Sequence, residues 1–348
     1  MDSLTQAVLG AAVGELVLGK KLGWRAAAWG AFFGTLPDLD VMALPFLDPA
    51  AGIRWHRGIS HSILVMVLAA LVLARPLARR HVERGVTARE MGWMVFWAWS
   101  THVLIDCLTT YGTQIFEPFS HERVAANLVF IVDPLVTLPL LVGLVLALRT
   151  DPLRFAKRRM MVCRGIGVSC LYLGFVLVMK FRAEENIAAD LSNSHPEGVL
   201  VAVAPTSFNT ILWRGLIETE GGYFLTYWSP FDSGEATYEF FPKTRELARE
   251  FEGEDALEAL KWFSRGHWVA REGEDGKLVL IDMRFTEIRD PRSGRSQPIF
   301  QWHLDRDEEG EVRAPMLRPK GLDYPGAFAL LWERIWGDQK DWDSLEEF

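Results

Sequence analysis

The 348-residue chain has few cysteines and no face rich in basic residues. Its three cysteines, Cys107, Cys163 and Cys170, all lie in apolar segments, which argues against a framework of disulfide bonds. The basic residues lie in loops between apolar segments rather than on one surface, so nucleic acid is not expected as a partner. A His-Glu-x-x-His motif is absent, which makes a membrane metallopeptidase the least favoured class of enzyme.

Charge divides the chain into two halves of different character. Residues 1–181 contain 18 Lys/Arg and 12 Asp/Glu, a net of +6, whereas residues 182–348 contain 19 and 33, a net of −14. Long apolar runs dominate the first half, and the second half alternates short apolar stretches with charged residues. The sequence therefore predicts a membrane-embedded domain over 1–181 and a soluble α+β domain over 182–348.

Six apolar segments in the first half predict a bundle of about six helices in the lipid bilayer. A span needs about 20 apolar residues, which the last four segments approach. The first two are short or interrupted and rich in Gly and Ala, and we expect them to form a tight hairpin that does not fully cross. The segments are 4–19, 26–46, 61–79, 92–110, 127–148 and 163–181.

Basic loops follow the first, third and fifth segments, and they are expected to face the cytoplasm. The other side would then carry the loops 47–60 and 111–126 together with the soluble domain. Asp2 rather than a basic region precedes the first apolar stretch, so this stretch is expected to remain in the mature protein. The predicted location is the inner (plasma) membrane, with several spans and an extracytoplasmic C-terminal domain.

The second half shows the alternation typical of strands between turn residues. Its α+β domain is expected to contain an antiparallel sheet, with helices at 243–264 and 324–336. The predicted strands are 199–204, 208–217, 222–229, 267–273, 277–286 and 298–304.

Ionisable residues in apolar segments are costly in lipid and therefore mark a candidate site. Seven of them belong to residue types that bind divalent metals, and the expected topology places all seven on the outer side. This agreement favours one pocket over scattered structural polar groups. The seven are Asp38, Asp40, His56, His61, His102, Asp106 and Asp133.

Two of the motifs lie near the predicted outer ends of apolar segments. Asp38 and Asp40 are two residues apart, and in extended or turn backbone such a pair can point to one side, although an acidic turn or helix cap is the alternative. His56 and His61 are not aligned on a regular helix, but they can converge if Ser60 caps a helix that begins near His61. The alternative is two histidines near lipid headgroups.

The other two motifs involve helices more directly. His102 and Asp106 lie one turn apart on the same face of an apolar helix, where they can bind one ion or form a buried structural pair. Asp133 precedes Pro134 and can either cap a helix or bind a metal. Arg57, within the His56–His61 motif, is suited to an anionic substrate such as a phosphate.

These motifs together resemble the YdjM-like family of inner-membrane proteins, which are described as metal-dependent hydrolases. The likeness covers roughly residues 1–150. The family itself is distantly similar to zinc-dependent phospholipase C and P1-type nucleases, and this similarity implies phosphoester hydrolysis. Family members often have His where this chain has Gln6. The matching pieces are Met1-Asp2-Ser3-Leu4-Thr5-Gln6 with Gly10, Pro37-Asp38-Leu39-Asp40, the residues from His56 to Ser62, His102 with Asp106, Tyr111-Gly112-Thr113-Gln114, and Asp133-Pro134.

The expected function is that of a membrane-bound metal-dependent hydrolase that acts on a phosphoester or a lipid-linked phosphate at the outer leaflet. The mixture of His and Asp favours Zn²⁺. Asp38 and Asp40 would form a second ligand group or act as general base, and Arg57 would bind the substrate. A non-enzymatic transport or assembly factor with a structural polar cluster is the alternative. The predicted metal ligands are His56, His61, His102, Asp106 and Asp133.

Overall fold

Helices dominate the first half of the chain and strands the second half. The structure is a computed structural model that describes residues 1–195, 197–273 and 276–343. Its contacts define a helical unit, Met1–Met42 with Trp55–Leu177, and a sheet unit, Ala43–Arg54 with Val178–Phe348. The chain therefore combines a helical N-terminal region with a C-terminal β-sheet region.

Seven α-helices precede the first strand. Short 3-10 helices at Leu36–Phe46, Ile59–His61 and Val82–Arg84 connect some of them. The α-helices are α1 (Ser3–Leu22), α2 (Trp24–Thr35), α3 (Pro49–Trp55), α4 (Ile63–Arg79), α5 (Ala88–Cys107), α6 (Pro134–Arg149) and α7 (Phe155–Ser194).

Helices α1 and α2 form the tight hairpin that the Gly-rich sequence predicts. A methyl group on Gly14 would lie 2.1 Å from the carbonyl oxygen of Ala26, and one on Gly10 would lie 2.3 Å from that of Gly30. Only hydrogen side chains permit this approach of the two backbones, as in other small-residue helix pairs. The hairpin brings the end of α2 beside α1, and α5 packs against both helices.

Side-chain caps fix where the helices that carry the site begin. The hydroxyl of Ser62 accepts from the backbone N–H of Val65 and starts α4, so the prediction that Ser60 is the cap is wrong by two residues. Thr87 and Glu90 form a capping box at the start of α5. The carboxylate of Asp133 accepts from the N–H groups of Leu135 and Val136 at the start of α6, which confirms that it caps the helix.

The prediction of about six membrane helices is corrected to one or two. Among the described residues, α7 is long and apolar enough to cross a bilayer, and a second span arises if α4 is joined to Pro49–His61, from which it bends by 50°. Helix α6 is apolar but has only 16 residues. The apolar run 26–46 does not form one α-helix because α2 ends at Thr35, and 127–148 is not helical before Pro134.

The sheet unit contains two main antiparallel sheets and a hairpin. One sheet has the order β1-β2-β3-β4, the other has the order β10-β9-β6-β5 with β11 beside β9, and β7 pairs with β8. The strands are β1 (Val199–Pro205), β2 (Trp213–Glu218), β3 (Gly222–Trp228), β4 (Glu239–Pro242), β5 (Trp268–Glu272), β6 (Leu278–Asp282), β7 (Glu287–Asp290), β8 (Arg295–Pro298), β9 (Gln301–Arg306), β10 (Val312–Arg313) and β11 (Met316–Leu317).

Apolar side chains from both main sheets share one core, which includes Leu216, Leu225, Val279 and Ile281. The remaining helices of this unit are α8 (Asp255–Phe263), α9 (Tyr324–Ile335) and α10 (Lys340–Asp343). The predicted helix 243–264 is instead a 3-10 helix, Arg245–Phe251, followed by α8. The break falls at Gly253, whose φ of +86° favours glycine.

Candidate metal site

Three elements of the helical unit bring four metal-binding side chains together. Asp38 lies on the 3-10 helix that follows α2, His61 ends the 3-10 helix that precedes α4, and His102 and Asp106 lie in the last turns of α5. One ligand atom from each of the four lies within 4.8 Å of the others. His61, His102 and Asp106 are fully buried, and the side chain of Asp38 is 21% exposed.

Each of the four side chains directs an acceptor atom, a ring nitrogen or a carboxylate oxygen, towards a common centre. The Nε2 atoms of His61 and His102 are 3.1 Å apart. His61 Nε2 lies 3.3 Å from Asp38 Oδ1 and 3.5 Å from Asp106 Oδ2. The corresponding distances from His102 Nε2 are 3.5 and 3.4 Å. Every one of these atoms can accept a hydrogen bond or bind a cation.

The tautomer of His102 follows from its second ring nitrogen. His102 Nδ1 lies 2.7 Å from the carbonyl oxygen of Gly34 at the end of α2. A carbonyl can only accept, so Nδ1 carries the proton and donates it. In the neutral ring, Nε2 is then left as a lone pair directed at the cluster, which is the arrangement that supports metal-binding histidines.

The tautomer of His61 is set through a hydroxyl. Ser60 Oγ donates to Asp40 Oδ2 at 3.1 Å, since a carboxylate can only accept. The same hydroxyl oxygen lies 2.9 Å from His61 Nδ1 and therefore accepts the proton of that nitrogen. His61 Nε2 is consequently a second lone pair that faces the one on His102.

The two oxygens of Asp106 have different surroundings. Oδ1 accepts from Gln6 Nε2 at 2.8 Å, faces a nitrogen of the Arg57 guanidinium at 3.2 Å, and also contacts the amino group of Met1. Oδ2 is buried and has no hydrogen-bond donor among the described residues. The oxygen without a donor is the one directed at the two histidines.

These contacts place two imidazole nitrogens and two carboxylate oxygens around one point, and when both rings are neutral no proton lies between the imidazoles. Such an arrangement is repulsive unless a cation occupies the centre, and burial makes the repulsion stronger. The buried Oδ2 of Asp106, which has no hydrogen-bond partner among the described residues, is available to bind a metal ion. The described residues therefore fit a divalent ion at this point.

Asp40 organises the loop beside the cluster rather than facing its centre. Its carboxylate accepts from the backbone N–H of Arg57 and lies 2.9 Å from His56 Nδ1. Burial raises the pKa of Asp40, but the hydrogen bond with His56 and the charges of the nearby histidines lower it by a larger amount. The pKa therefore lies below its ordinary value.

Arg57 is buried next to Asp106 and makes specific contacts. One guanidinium nitrogen donates to Thr109 Oγ1 at 3.2 Å, and the group lies 4.9 Å from the centre of the Tyr111 ring. The residue has a φ of +58°, which is rare for a residue other than glycine and is often found at functional sites. Its predicted role in binding an anionic substrate stays a prediction.

The structure does not bring all of the predicted ligands together. His56 lies outside the group of four, pairs with Asp40 and keeps 22% of its side chain exposed. Asp133 caps α6 and accepts from the hydroxyl of Tyr172 at 2.9 Å. Gly34 and Ser60, which orient the histidines, carry no signal of this role in the sequence, because a backbone carbonyl and a lone serine are not recognisable ligand partners.

Comparison with known proteins agrees with the membrane assignment. A family model described as YdjM inner membrane protein matches residues 1–183, which include all four residues of the cluster. The chain belongs to this family. The match to YdjM covers more than half of the chain, and it does not show the more distant likeness to zinc-dependent phospholipase C and P1-type nucleases, which stays a prediction.

An individual relative is also similar to this chain. YfhP of Bacillus subtilis (strain 168), described as an uncharacterized protein, is 29% identical over 151 residues. The match covers 39% of this chain and 43% of YfhP, so the chain spans less than half the length of that relative. No solved structure gives a significant match.

Proposed function

We propose that this YdjM family member is a membrane-bound, metal-dependent hydrolase. The observation that carries the proposal is the convergence of His61, His102, Asp38 and Asp106 around one point, where Asp106 Oδ2 has no hydrogen-bond donor among the described residues. Zinc is the ion proposed. Ligand atoms around tetrahedral zinc with bonds of about 2.0–2.1 Å lie about 3.3–3.4 Å apart. The five separations that involve a histidine nitrogen, 3.1 to 3.5 Å, are close to that value.

His61, His102 and Asp106 would hold the ion, because they are buried and oriented by other groups. A divalent metal supplies Lewis acidity, which polarises a phosphoryl oxygen and makes water a nucleophile near neutral pH. Asp38 is the partly exposed member of the group. It would either complete the ligand set or accept a proton from the attacking water.

The pair formed by His56 and Asp40 is suited to proton transfer beside the cluster. Asp40 holds the Nδ1 side of the His56 ring, and Nε2 makes no hydrogen bond within the described residues. A carboxylate that orients a partly exposed imidazole in this way is a common general acid or base. We assign His56 this role, in place of the ligand role predicted from its spacing.

A phosphoester or lipid-linked phosphate is the proposed substrate class. The positive charge of Arg57 next to Asp106 would favour an anionic group near the metal. Basic residues cluster at the other end of α4 and α5, around Arg79, Arg80 and Arg84. The positive-inside rule therefore supports an orientation in which the cluster faces the outer leaflet.

One observation favours a second candidate, a metal that is purely structural. Four protein atoms close to tetrahedral separations leave no open position, and zinc sites of that kind normally hold a fold together rather than catalyse. The metal would then tie α4 and α5 to the 3-10 helix that follows α2. In this case the protein would be a non-enzymatic transport or assembly factor.

The two candidates differ in activity. We expect the full-length protein, purified in detergent without chelators, to hydrolyse p-nitrophenyl phosphate, bis(p-nitrophenyl) phosphate or phosphatidic acid in vesicles. His102→Ala should reduce the rate to background. Asp133→Asn, which changes a buried carboxylate outside the cluster, should retain it. If the metal-loaded wild-type protein hydrolyses none of these substrates, the structural candidate replaces the hydrolase.

A further inference from the structure

An apolar groove runs along the surface between α4 and α5 and has a volume of about 590 Å³. Its floor consists of small residues: Ala70 and Ala74 of α4 face Gly92 of α5, and a methyl group on Gly92 would lie 3.3 Å from the Cβ of Ala74. Larger side chains, Leu71 and Trp93, rise at its sides. The small floor and the large sides create a depression rather than a flat helix surface.

The apolar sides of this groove are unusually exposed. Leu71 is 69% and Trp93 is 48% exposed. Soluble proteins rarely leave such contiguous apolar surface uncovered, and in a membrane protein lipid can cover it. From Val67 to Arg75 the lined part of α4 extends over about 12 Å at 1.5 Å per residue, which is long enough to seat part of an acyl chain.

Two arginines make one end of the groove positive. Arg75 of α4 and Arg89 of α5 both line it, and neither has an ion-pair partner within the described residues. Both are exposed, at the end of α4 and the start of α5 where the chain is richest in arginine. A ligand that matches this groove therefore needs an apolar chain and an anionic group at one end.

We propose that the groove between α4 and α5 binds an anionic phospholipid, with an acyl chain along Ala70 and Ala74 and the headgroup phosphate between Arg75 and Arg89. Arginine-rich pockets on the cytoplasmic side of membrane proteins have this chemistry. Arg89 is 13 residues from His102 on the same helix, which corresponds to about 20 Å. The lipid site is thus at the opposite end of the helix pair from the metal cluster and does not depend on the proposed hydrolysis.

Quenching of tryptophan fluorescence tests the proposal, because Trp93 lines the groove. The full-length protein is placed in vesicles that contain phosphatidylglycerol or phosphatidylcholine with brominated acyl chains. The difference between the wild-type protein and Trp93→Phe isolates the signal of Trp93. We expect the groove to bind phosphatidylglycerol more tightly than phosphatidylcholine, by a factor of about five in affinity for each arginine. Brominated phosphatidylglycerol should therefore quench Trp93 more strongly than brominated phosphatidylcholine.

A double variant and a matched control assign the preference to the groove. Arg75→Gln with Arg89→Gln should remove the preference for phosphatidylglycerol. Arg79→Gln with Arg80→Gln removes the same charge from the same end of the molecule but does not touch the groove, and should leave the preference intact. Equal quenching by both lipids in the wild-type protein would overturn the proposal. So would an equal effect of both double variants, or a Trp93 that neither lipid quenches.

Discussion

Glu287 in the sheet unit and Asp106 in the helical unit are both fully buried carboxylates, but their surroundings differ. Each oxygen of Glu287 has a partner: Tyr227 donates to Oε1, and Arg214 Nε lies 3.3 Å from Oε2. Arg289 lies 3.5 Å from Oε1. In Asp106 the donors contact Oδ1, and Oδ2 has no donor within the described part of the chain.

The histidines next to Asp106 make this difference larger. In the sheet unit, Arg214 donates to the carbonyl oxygen of Met283 and Arg289 to that of Trp342. The negative charge of Glu287 is thus compensated by protein side chains that are themselves held in place. At the cluster, the donors of His61 and His102 point away from the centre, towards Ser60 and Gly34. Among the residues that the structure describes, the four ligand atoms that face the centre are acceptors when both rings are neutral.

Burial of charge alone therefore does not mark a site. A buried ion pair whose members satisfy each other needs nothing further, and it is a structural feature. A group of side chains differs from this when their N–H groups are bonded elsewhere and only acceptor atoms face the centre. Such a group needs a cation from outside. The first arrangement is expected to control stability, and the second to control ligand content.

The largest expected effect on stability is that of Glu287→Gln. The change leaves Arg214 buried without its carboxylate and Arg289 with only that of Glu239, which should cost about 3–5 kcal/mol. Thermal unfolding of the full-length protein, followed by circular dichroism, should show a clearly lower midpoint and unchanged metal content. Glu311→Gln, at an exposed position, is the matched control and should change the midpoint little. An unchanged midpoint for Glu287→Gln would contradict the comparison.

Acid should act on the same network. Burial raises the pKa of Glu287, but the charges of Arg214 and Arg289 lower it by a larger amount. The folded-state pKa therefore lies below the ordinary value of 4.5. Its stabilising contribution is therefore present above pH 4.5 and is lost as the pH falls through the folded-state pKa. The unfolding midpoint of the wild-type protein should drop on acidification below this range, and that of Glu287→Gln should drop less. Parallel curves for the two proteins would argue against this assignment.

A smaller effect is expected for Asp40→Asn, which keeps the shape of the side chain. The carboxylate orients Ser60 and, through it, His61, so the amide should weaken metal binding by about 10–100-fold. Titration of the metal-free protein with Zn²⁺ measures this change. Asp48→Asn, on the α3 cap, is the control. If both variants bind zinc as tightly as the wild-type protein, Asp40 does not orient the site.

The smallest effect is expected for Asp133→Asn. Asparagine caps helices as well as aspartate does, so α6 should persist, with a loss of stability below about 1 kcal/mol. The metal content should equal that of the wild-type protein. Loss of metal from this variant would make Asp133 a ligand, as its place in the sequence allows, and would show that the group of four is incomplete.

Local spacing was enough to predict part of the site. His102 and Asp106 are one helical turn apart, and the structure places both on the face of α5 that meets the cluster. The pair Asp38 and Asp40 could not be resolved in this way. It lies on a 3-10 helix, where three residues make a turn and neighbours two apart point in different directions, so Asp38 faces the histidines and Asp40 faces the loop from His56 to Ser60.

Long-range contacts and chain breaks limited the rest. The carbonyl of Gly34 reaches His102 across 68 positions of sequence, and hydropathy contains no information about such a contact. Apolar content also predicted more membrane helices than the structure has, because it did not detect that α2 ends at Thr35 or that α6 begins only at Pro134. In the sheet unit, the two-residue strands β10 and β11 are too short for a periodic signal.

Elemental analysis of the purified full-length protein, in detergent and without chelators, measures whether Asp38, His61, His102 and Asp106 hold a metal ion. We predict about one divalent ion per chain for the wild-type protein, zinc foremost, and almost none for the double variant His102→Ala with Asp106→Ala. The variant should still insert into the membrane, because neither change affects α7. A wild-type protein without metal, or a double variant that retains a full equivalent of zinc, would show that these four residues do not form the metal site.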